Sequence, residues 1–211
     1  MTEEEARAWL DTHFAVSRET SAQLEGYIAL LFAGMAEQNL IAQSTRDHVW
    51  ARHIVDSAQL LPLAAGAGAG PWIDLGAGAG LPGIVIAILA SRPVLLIESR
   101  RKRIAFLQNV VDELGLRHVS IIGGRVETAV TPAAAVISAR AYAPLPKLLE
   151  SACHLADKNT LWLLPKGRNA QIELETVRPT WQGAFHVERS VTDPESAIVV
   201  AQSVSRKGRT R

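Results

Sequence analysis

Three glycines at alternate positions, Gly76, Gly78 and Gly80, stand in the run Trp-Ile-Asp-Leu-Gly-Ala-Gly-Ala-Gly-Leu-Pro-Gly at residues 72–83. Glycine lets the main chain turn sharply and leaves no side chain between backbone and ligand, so this loop suits close approach by a cofactor. Asp74 is the last polar residue of the apolar run before it and is expected at the carboxyl edge of a sheet, where open α/β folds bind ligands. Leu81 occupies the place where a dinucleotide fingerprint carries its third glycine, so the pattern is G-x-G-x-G. Glu98 closes the next apolar run, Val94-Leu95-Leu96-Ile97, and is suited to accept hydrogen bonds from two ribose hydroxyls. An acid about 20 residues beyond such a loop also serves nicotinamide cofactors, so at this point the nucleoside cofactor remains open.

Further polar candidates lie along the chain. Arg140 stands in Ser138-Ala139-Arg140-Ala141-Tyr142-Ala143-Pro144, a segment with a cation and an aromatic but no obvious base. Arg125 follows Gly123-Gly124 and either faces the cleft or pairs with Glu127 at the surface. Lys166-Gly167 either meets a ligand or simply turns a strand into a helix, and Asn39 either touches substrate or ends a helix. His53 and Asp56, three apart on one helical face, are expected to bond each other and fix the N-terminal region against the glycine loop, with substrate contact as the alternative. The six histidines are scattered, and none pairs with cysteine at ligand spacing, so no metal is expected. The single cysteine, Cys153, is expected to pack among Leu148, Leu149 and Leu155.

These residues need a frame. Leu24, Ile28, Leu31, Phe32 and Met35 recur at helical spacing behind Ser17, a suitable N-cap, and a second helix is expected over residues 46–61. Residues 39–45 form a loop between them, and the alanine-glycine stretch 64–70 reads as a flexible joint. The expected units are an N-terminal helical cap at 1–63, a cofactor-binding domain at 71–205 and a basic tail at 206–211 with Arg206, Lys207, Arg209 and Arg211. Beyond the joint, strands at 71–75, 93–98, 118–123, 134–138 and 160–164 alternate with helices at 82–91, 100–115, 144–157 and 168–177. That alternation predicts an α/β fold with a parallel sheet covered on both faces. Two last strands, near 181–190 and 196–204, leave no room for a helix and are expected to form an antiparallel hairpin.

The chain has 211 residues, of which 48% are apolar and 20% charged, as an ordinary globular protein has. Net charge is only +1, so a nucleic-acid partner would have to be met by local clusters such as Arg100-Arg101-Lys102-Arg103. The N-terminus is acidic where a signal peptide is basic, no apolar run is long enough for a membrane span, and one cysteine fits a reducing cytoplasm.

A G-x-G-x-G loop with Asp before it and an acid after the next strand resembles the S-adenosylmethionine (SAM) site of class I, Rossmann-like methyltransferases. Five parallel strands closed by a hairpin resemble their sheet, whereas a nicotinamide domain would go on alternating. Of the acceptor signatures, the Pro-Pro-aromatic segment of amine methylation is missing, and Cys153 is poorly placed as a nucleophile for pyrimidine carbon. An acceptor with a free lone pair, such as guanine N7, needs no base. The segments Asn39-Leu40, Arg52-His53-Ile54-Val55-Asp56-Ser57, residues 74–83, Arg103, Gly124-Arg125-Val126-Glu127, Ser138-Ala139-Arg140-Ala141 and Pro165-Lys166-Gly167 occur in order over about two-thirds of the chain. In these the chain resembles the bacterial small-subunit rRNA guanine-N7 methyltransferases, the RsmG or GidB family.

The resemblance implies methylation of one guanine of 16S rRNA, free or in the small ribosomal subunit, with SAM as donor; separately, no apolar stripe demands a dimer, so a cytoplasmic monomer is expected. The resemblance places Gly76 and Leu81 at the methionine and sulfonium end, with Asp74, Gly78 and Gly80 in the same loop. Glu98 falls at the ribose, Val126 and Glu127 at the adenine, and Arg140 at the floor between cofactor and acceptor. Asn39, Arg125 and Lys166 become candidates for holding the guanine and its phosphate. Two other readings stay open: a small-molecule methyltransferase, and an RNA-binding module that keeps SAM without catalysis.

Overall fold

The computed structural model describes residues 1–208. Seven strands form one mixed sheet: β1 Trp72–Leu75, β2 Val94–Glu98, β3 Val119–Gly123, β4 Val136–Ser138, β5 Leu161–Lys166, β6 Trp181–Arg189 and β7 Ala197–Arg206. Their order is β3-β2-β1-β4-β5-β7-β6. Strands β1 to β5 pair in parallel, and β7 enters antiparallel between β5 and β6. The alternation of strand and helix and the terminal hairpin are therefore as expected. The strand order changes direction between β1 and β4, which opens a crevice at their carboxyl ends, where the glycine loop begins.

Apolar side chains alternate across the strands with period two. Trp72, Leu96 and Val136 face one core, and Ile73, Leu75, Ile97 and Ile137 face the other. The second core is covered by α7 (Leu145–Ala152) and α8 (Ala170–Val177). The first is covered by α5 (Gly83–Leu89) and α6 (Arg101–Glu113) together with the N-terminal helices. Residues 1–63 thus share a single apolar core with the sheet, through Leu24, Tyr27, Leu31 and Ile54.

The N-terminal region holds two departures from expectation. A helix α1 (Glu3–His13) precedes α2 (Arg18–Gly34), started by a capping box between Thr2 and Glu5. The helix expected over 46–61 is a chain of unlike turns: 3₁₀ at Gln43–His48, π at Trp50–Val55, then α3 (Asp56–Ala58) and α4 (Leu60–Leu63). Glu3 explains the break, because its carboxylate accepts from the N–H groups of Trp50 and Ala51 at 3.0 and 2.9 Å. The joint at 64–70 is tied down rather than loose, since Arg92 donates to the carbonyls of Gly68 and Gly70. Arg206 belongs to β7 and pairs with Glu150, and Lys207 donates to the Arg178 carbonyl. Arg209 and Arg211 lie outside the described residues.

Candidate active site

The glycine loop leaves β1 and turns back into α5. Gly76, Gly78 and Gly80 all have positive φ, at 62°, 57° and 92°. A Cβ on Gly76 would strike the Tyr142 ring at 2.5 Å, and one on Gly80 would strike Ile84 at 2.5 Å. At Gly78 the nearest atom to such a Cβ is the Gly76 oxygen at 3.6 Å, so a side chain there would enter open space. That space is a cavity of about 350 Å³ lined by Gly76, Gly78, Leu81, Glu98 and Arg140 among others. A smaller one of about 170 Å³, with Arg125, Val126 and Glu127 on its wall, shares Gly76, Glu98 and Tyr142 with it.

The acids around the loop divide the work. Asp74 is fully buried and faces neither cavity; its Oδ2 accepts from the Gly83 N–H at 3.0 Å and its Oδ1 from the Ser138 hydroxyl at 2.8 Å. Ser138 in turn accepts from the Trp72 indole at 2.8 Å. Burial raises the Asp74 carboxyl to about 7, against the lowering effect of the hydrogen bonds from Ser138 and Gly83. Its role is to hold the far end of the loop. Glu98 accepts from the N–H of Gly78 at 2.9 Å through Oε2, and from those of Ser99 and Arg100 at 2.7 and 2.8 Å through Oε1. Oε2 keeps a second lone pair for a hydroxyl donor. Tyr27, from α2, is fully buried and donates its hydroxyl to the Ala79 carbonyl at 2.8 Å.

Arg140 stands between this cavity and a larger groove of about 720 Å³ and lines both, as do Leu40, Ala141 and Tyr142. Its Nη1 donates to the Arg52 carbonyl, to His53 Nδ1 and to Asp56 Oδ2, each at 3.2 Å. His53 and Asp56 thus do not bond each other as expected; the guanidinium comes between them. Ala141, at φ 53°, turns the chain so that Tyr142 lies over Gly76 and reaches Ser151 with its hydroxyl at 3.2 Å. In the groove, Lys166 donates to the Ala143 carbonyl and to Glu173, both at 2.9 Å, and Glu173 also accepts from the Leu145 N–H at 2.7 Å.

A sheet of this order, a glycine loop at its crevice and an acid on the next strand together bound a cavity that adjoins the larger groove. The profile of the GidB family, rRNA small subunit methyltransferase G, matches residues 20–197. A Zymomonas mobilis protein called ribosomal RNA small subunit methyltransferase G is 51% identical over 214 residues, covering 98% of this chain and 96% of that one. A Sphingopyxis alaskensis protein of the same name is 54% identical over 198 residues, covering 94% and 85%. This chain belongs to the rRNA small subunit methyltransferase G family. Among solved structures, cofactor-bound Rv0187 from MTB matches with a TM-score of 0.65 at 13% identity, over 93% of this chain and 95% of its own. A SAM dependent methyltransferase from Aquifex aeolicus matches at 0.58 and 13% identity, over 74% and 92%. These two likenesses concern the fold.

As a member of this family the chain is a SAM-dependent methyltransferase, and its residues fit that cofactor. A Cβ on Gly78 would project into the open space in front of it, and Glu98 offers a carboxylate oxygen on the same cavity. Gly76, Gly78, Leu81, Glu98 and Arg140 come together around one cavity, and Val126 and Glu127 around its neighbour. Asp74 stands behind the loop and Gly80 shapes its end, and neither lines these cavities. The acceptor candidates are not brought together. Lys166 lines the groove, whereas Arg125 is on the smaller cavity, exposed and paired with Glu127 at 3.2 Å. Asn39 is exposed and lines none of the three, although its carbonyl accepts from Arg103. Cys153 is exposed at the end of α7 rather than packed, and is not in the groove wall. Tyr27 and Tyr142 were not among the expected site residues. Tyr142 has a sequence signal in its place two residues after Arg140; Tyr27 has none, since only the fold carries it to the loop.

Proposed function

We propose that the chain methylates N7 of one guanine in 16S rRNA, with the larger groove receiving the base and SAM held at the glycine loop. The observation that carries the reading is the state of the groove's bases. His53, Asp56 and Glu173 are each bonded to neighbours in the wall, to Arg140 and Thr45, to Arg140, Gln59 and Thr192, and to Lys166 and Leu145 respectively. Each of these groove bases is thus already engaged by a cation, Glu173 through Oε2 alone, and none stands free of such a partner among the described residues. Guanine N7 carries its lone pair without a proton and needs no base.

When bound, SAM supplies an electrophilic methyl group on a sulfonium. The chain's part is then positioning, which contributes up to about 7–11 kcal/mol in well-oriented reactions. Arg140, held by three acceptors of residues 52–56, forms the wall between donor and acceptor. Tyr142 closes the loop over Gly76. Lys166 acts through the main chain, holding Ala143 and, with Glu173, the start of α7, so that the acceptor segment keeps its course. Arg125 falls to the cofactor side, and Asn39 to the rim through Arg103. We assign the activity to a monomer, since the exposed large apolar side chains are only Met1, Val130, Ile172 and Val191 among the described residues, and to the cytoplasm because the proposed substrate is 16S rRNA.

The test is incubation with labelled SAM and small-subunit RNA from a strain lacking the enzyme, followed by nucleoside analysis. Label in 7-methylguanosine is expected. Label in another nucleoside, turnover of small molecules without RNA, or SAM binding with no transfer would each replace the proposal.

A further inference from the structure

The turn between β6 and β7, residues 190–196, borders the acceptor groove, with Ser190 and Ser196 in its wall. Two acids on this turn hold two arginines from other parts of the chain. Asp193 Oδ2 pairs with Arg52 Nη1 at 2.6 Å, and Glu195 Oε2 with Arg168 Nη2 at 3.0 Å. Arg52 lies in the π-helical segment and lines the groove itself; Arg168 follows Gly167, which also lines it. The foot of the turn is fastened separately, by Thr192 to Asp56 at 3.1 Å and by the Val191 N–H to Gln59 at 2.9 Å. Asp193 Oδ1 also accepts from the Glu195 N–H at 2.9 Å within the turn, a bond that the amide oxygen of an asparagine keeps, so exchanging the two acids for amides leaves the turn fastened.

Both arginines remain open to solvent, with side chains 46% and 74% exposed. Ion pairs this exposed contribute little to stability, so a competing anion exchanges with them readily. A guanidinium also matches phosphate as it matches carboxylate, with forked donors. We propose that Arg52 and Arg168 are phosphate contacts of the RNA strand entering the groove, and that Asp193 and Glu195 hold both guanidiniums in place until phosphates displace them. The inference rests on the reading of this groove as the RNA site. In the free protein the carboxylates keep the arginines aimed, and they make each phosphate contact conditional on an exchange, which lowers affinity for RNA that does not fit both positions.

The experiment titrates the full chain with a fluorescent single-stranded RNA at several salt concentrations and reads anisotropy. D193N with E195Q should bind about three- to tenfold tighter than the unaltered chain. E25Q, which breaks the exposed Arg7–Glu25 pair on α1 and α2, removes a charge elsewhere and should change little. R52Q and R168Q should each weaken binding and lower the slope of log affinity against log salt by about 0.7. In the R52Q background, D193N should no longer tighten binding beyond the E25Q control. Tightening no greater than that control, or undiminished by R52Q, would overturn the exchange. Methyl transfer to small-subunit RNA is measured alongside: transfer without arginine–acid coupling overturns the exchange alone, whereas absence of both transfer and RNA binding overturns the reading beneath it.

Discussion

Nδ1 of His53 lies 3.2 Å from both terminal nitrogens of Arg140. A guanidinium only donates, so that ring nitrogen is the acceptor and carries no proton. At the other end of the ring, Nε2 is 2.7 Å from Thr45 Oγ1, whose own hydrogen goes to the Ala42 carbonyl at 2.7 Å. The proton must therefore sit on Nε2. Burial, aided by the guanidiniums of Arg140 and Arg52, pushes His53 down to about 3, so the imidazole is neutral when the enzyme works.

A pH dependence follows, with a definite sign. Below 6.5 the unfolded chain protonates this histidine while the folded chain does not, so stability present above 6.5 is lost as pH falls toward 3. The slope reaches at most about 1.4 kcal/mol per pH unit. Asp74 works the other way. Its carboxyl rises from 3.8 to about 7, so the folded chain holds the extra proton and stability declines as pH rises through that interval. Between 3.8 and 6.5 the two oppose each other. Denaturant unfolding of Asp74→Asn should show a steeper loss of stability below pH 6.5 than the unaltered chain. Nitrogen NMR of His53 at pH 5 should still show the neutral Nε2–H form; an imidazolium there would refute the assignment.

The brace on Arg140 predicts different outcomes for two changes at His53. Asn presents a carbonyl near the place of Nδ1, whereas Ala leaves the guanidinium without that acceptor. Turnover should fall about a hundredfold in Arg140→Ala, the scale of a misplaced reacting group. His53→Ala should lose a substantial part of that, and His53→Asn should recover some of it. Equal rates for Ala and Asn at 53 would reduce His53 to packing. SAM affinity, measured by calorimetry, separates a misplaced wall from a lost cofactor.

The parallel part of the sheet is legible from period and punctuation because β1, β2, β3 and β5 are local apolar runs ended by glycine or charge. The hairpin could be expected from chain length alone, there being no room for a helix between β6 and β7. What lies between elements is less legible. A regular helix over 46–61 is what local propensity favours, yet a carboxylate from Glu3, 47 residues upstream, takes the N–H of Trp50 and the backbone widens into a π turn. Asp74 illustrates the same limit. Its place before the glycines suggests a ligand contact, and only the packing of Ser138 and Gly83 around it reveals a strut. Thr2 and Glu5 are the counterexample, a local capping signal for α1 that apolar spacing from Leu24 onward does not reach.

Gly78→Ala isolates the cofactor cavity from the stability of the loop. At φ 57° an alanine costs about 1–2 kcal/mol. That corresponds to a fall in Tm of roughly 2–8 °C for a chain of this size. The new methyl meets no protein atom closer than 3.6 Å and extends into the cavity, so SAM affinity should drop tenfold or more. Gly76→Ala should instead unfold more easily, because its methyl collides with Tyr142. Normal SAM binding by Gly78→Ala would move the cofactor elsewhere.

Tyr27 gives the sharpest separation between a core contact and a functional one. Phenylalanine keeps the ring and its packing but removes the donor to Ala79, leaving a carbonyl beneath the loop unsatisfied at a cost of about 1–3 kcal/mol. Ala79 lies between Gly78 and Gly80 and lines the cavity proposed for SAM, so the loop relaxes at that proposed site. Tyr27→Phe should therefore lower Tm and weaken SAM binding together, and saturating SAM should restore part of the lost Tm. A lower Tm with unaltered SAM affinity would show that the hydroxyl holds the α2 packing alone, and that the loop keeps its shape through Asp74 and Glu98 without help from the N-terminal helices.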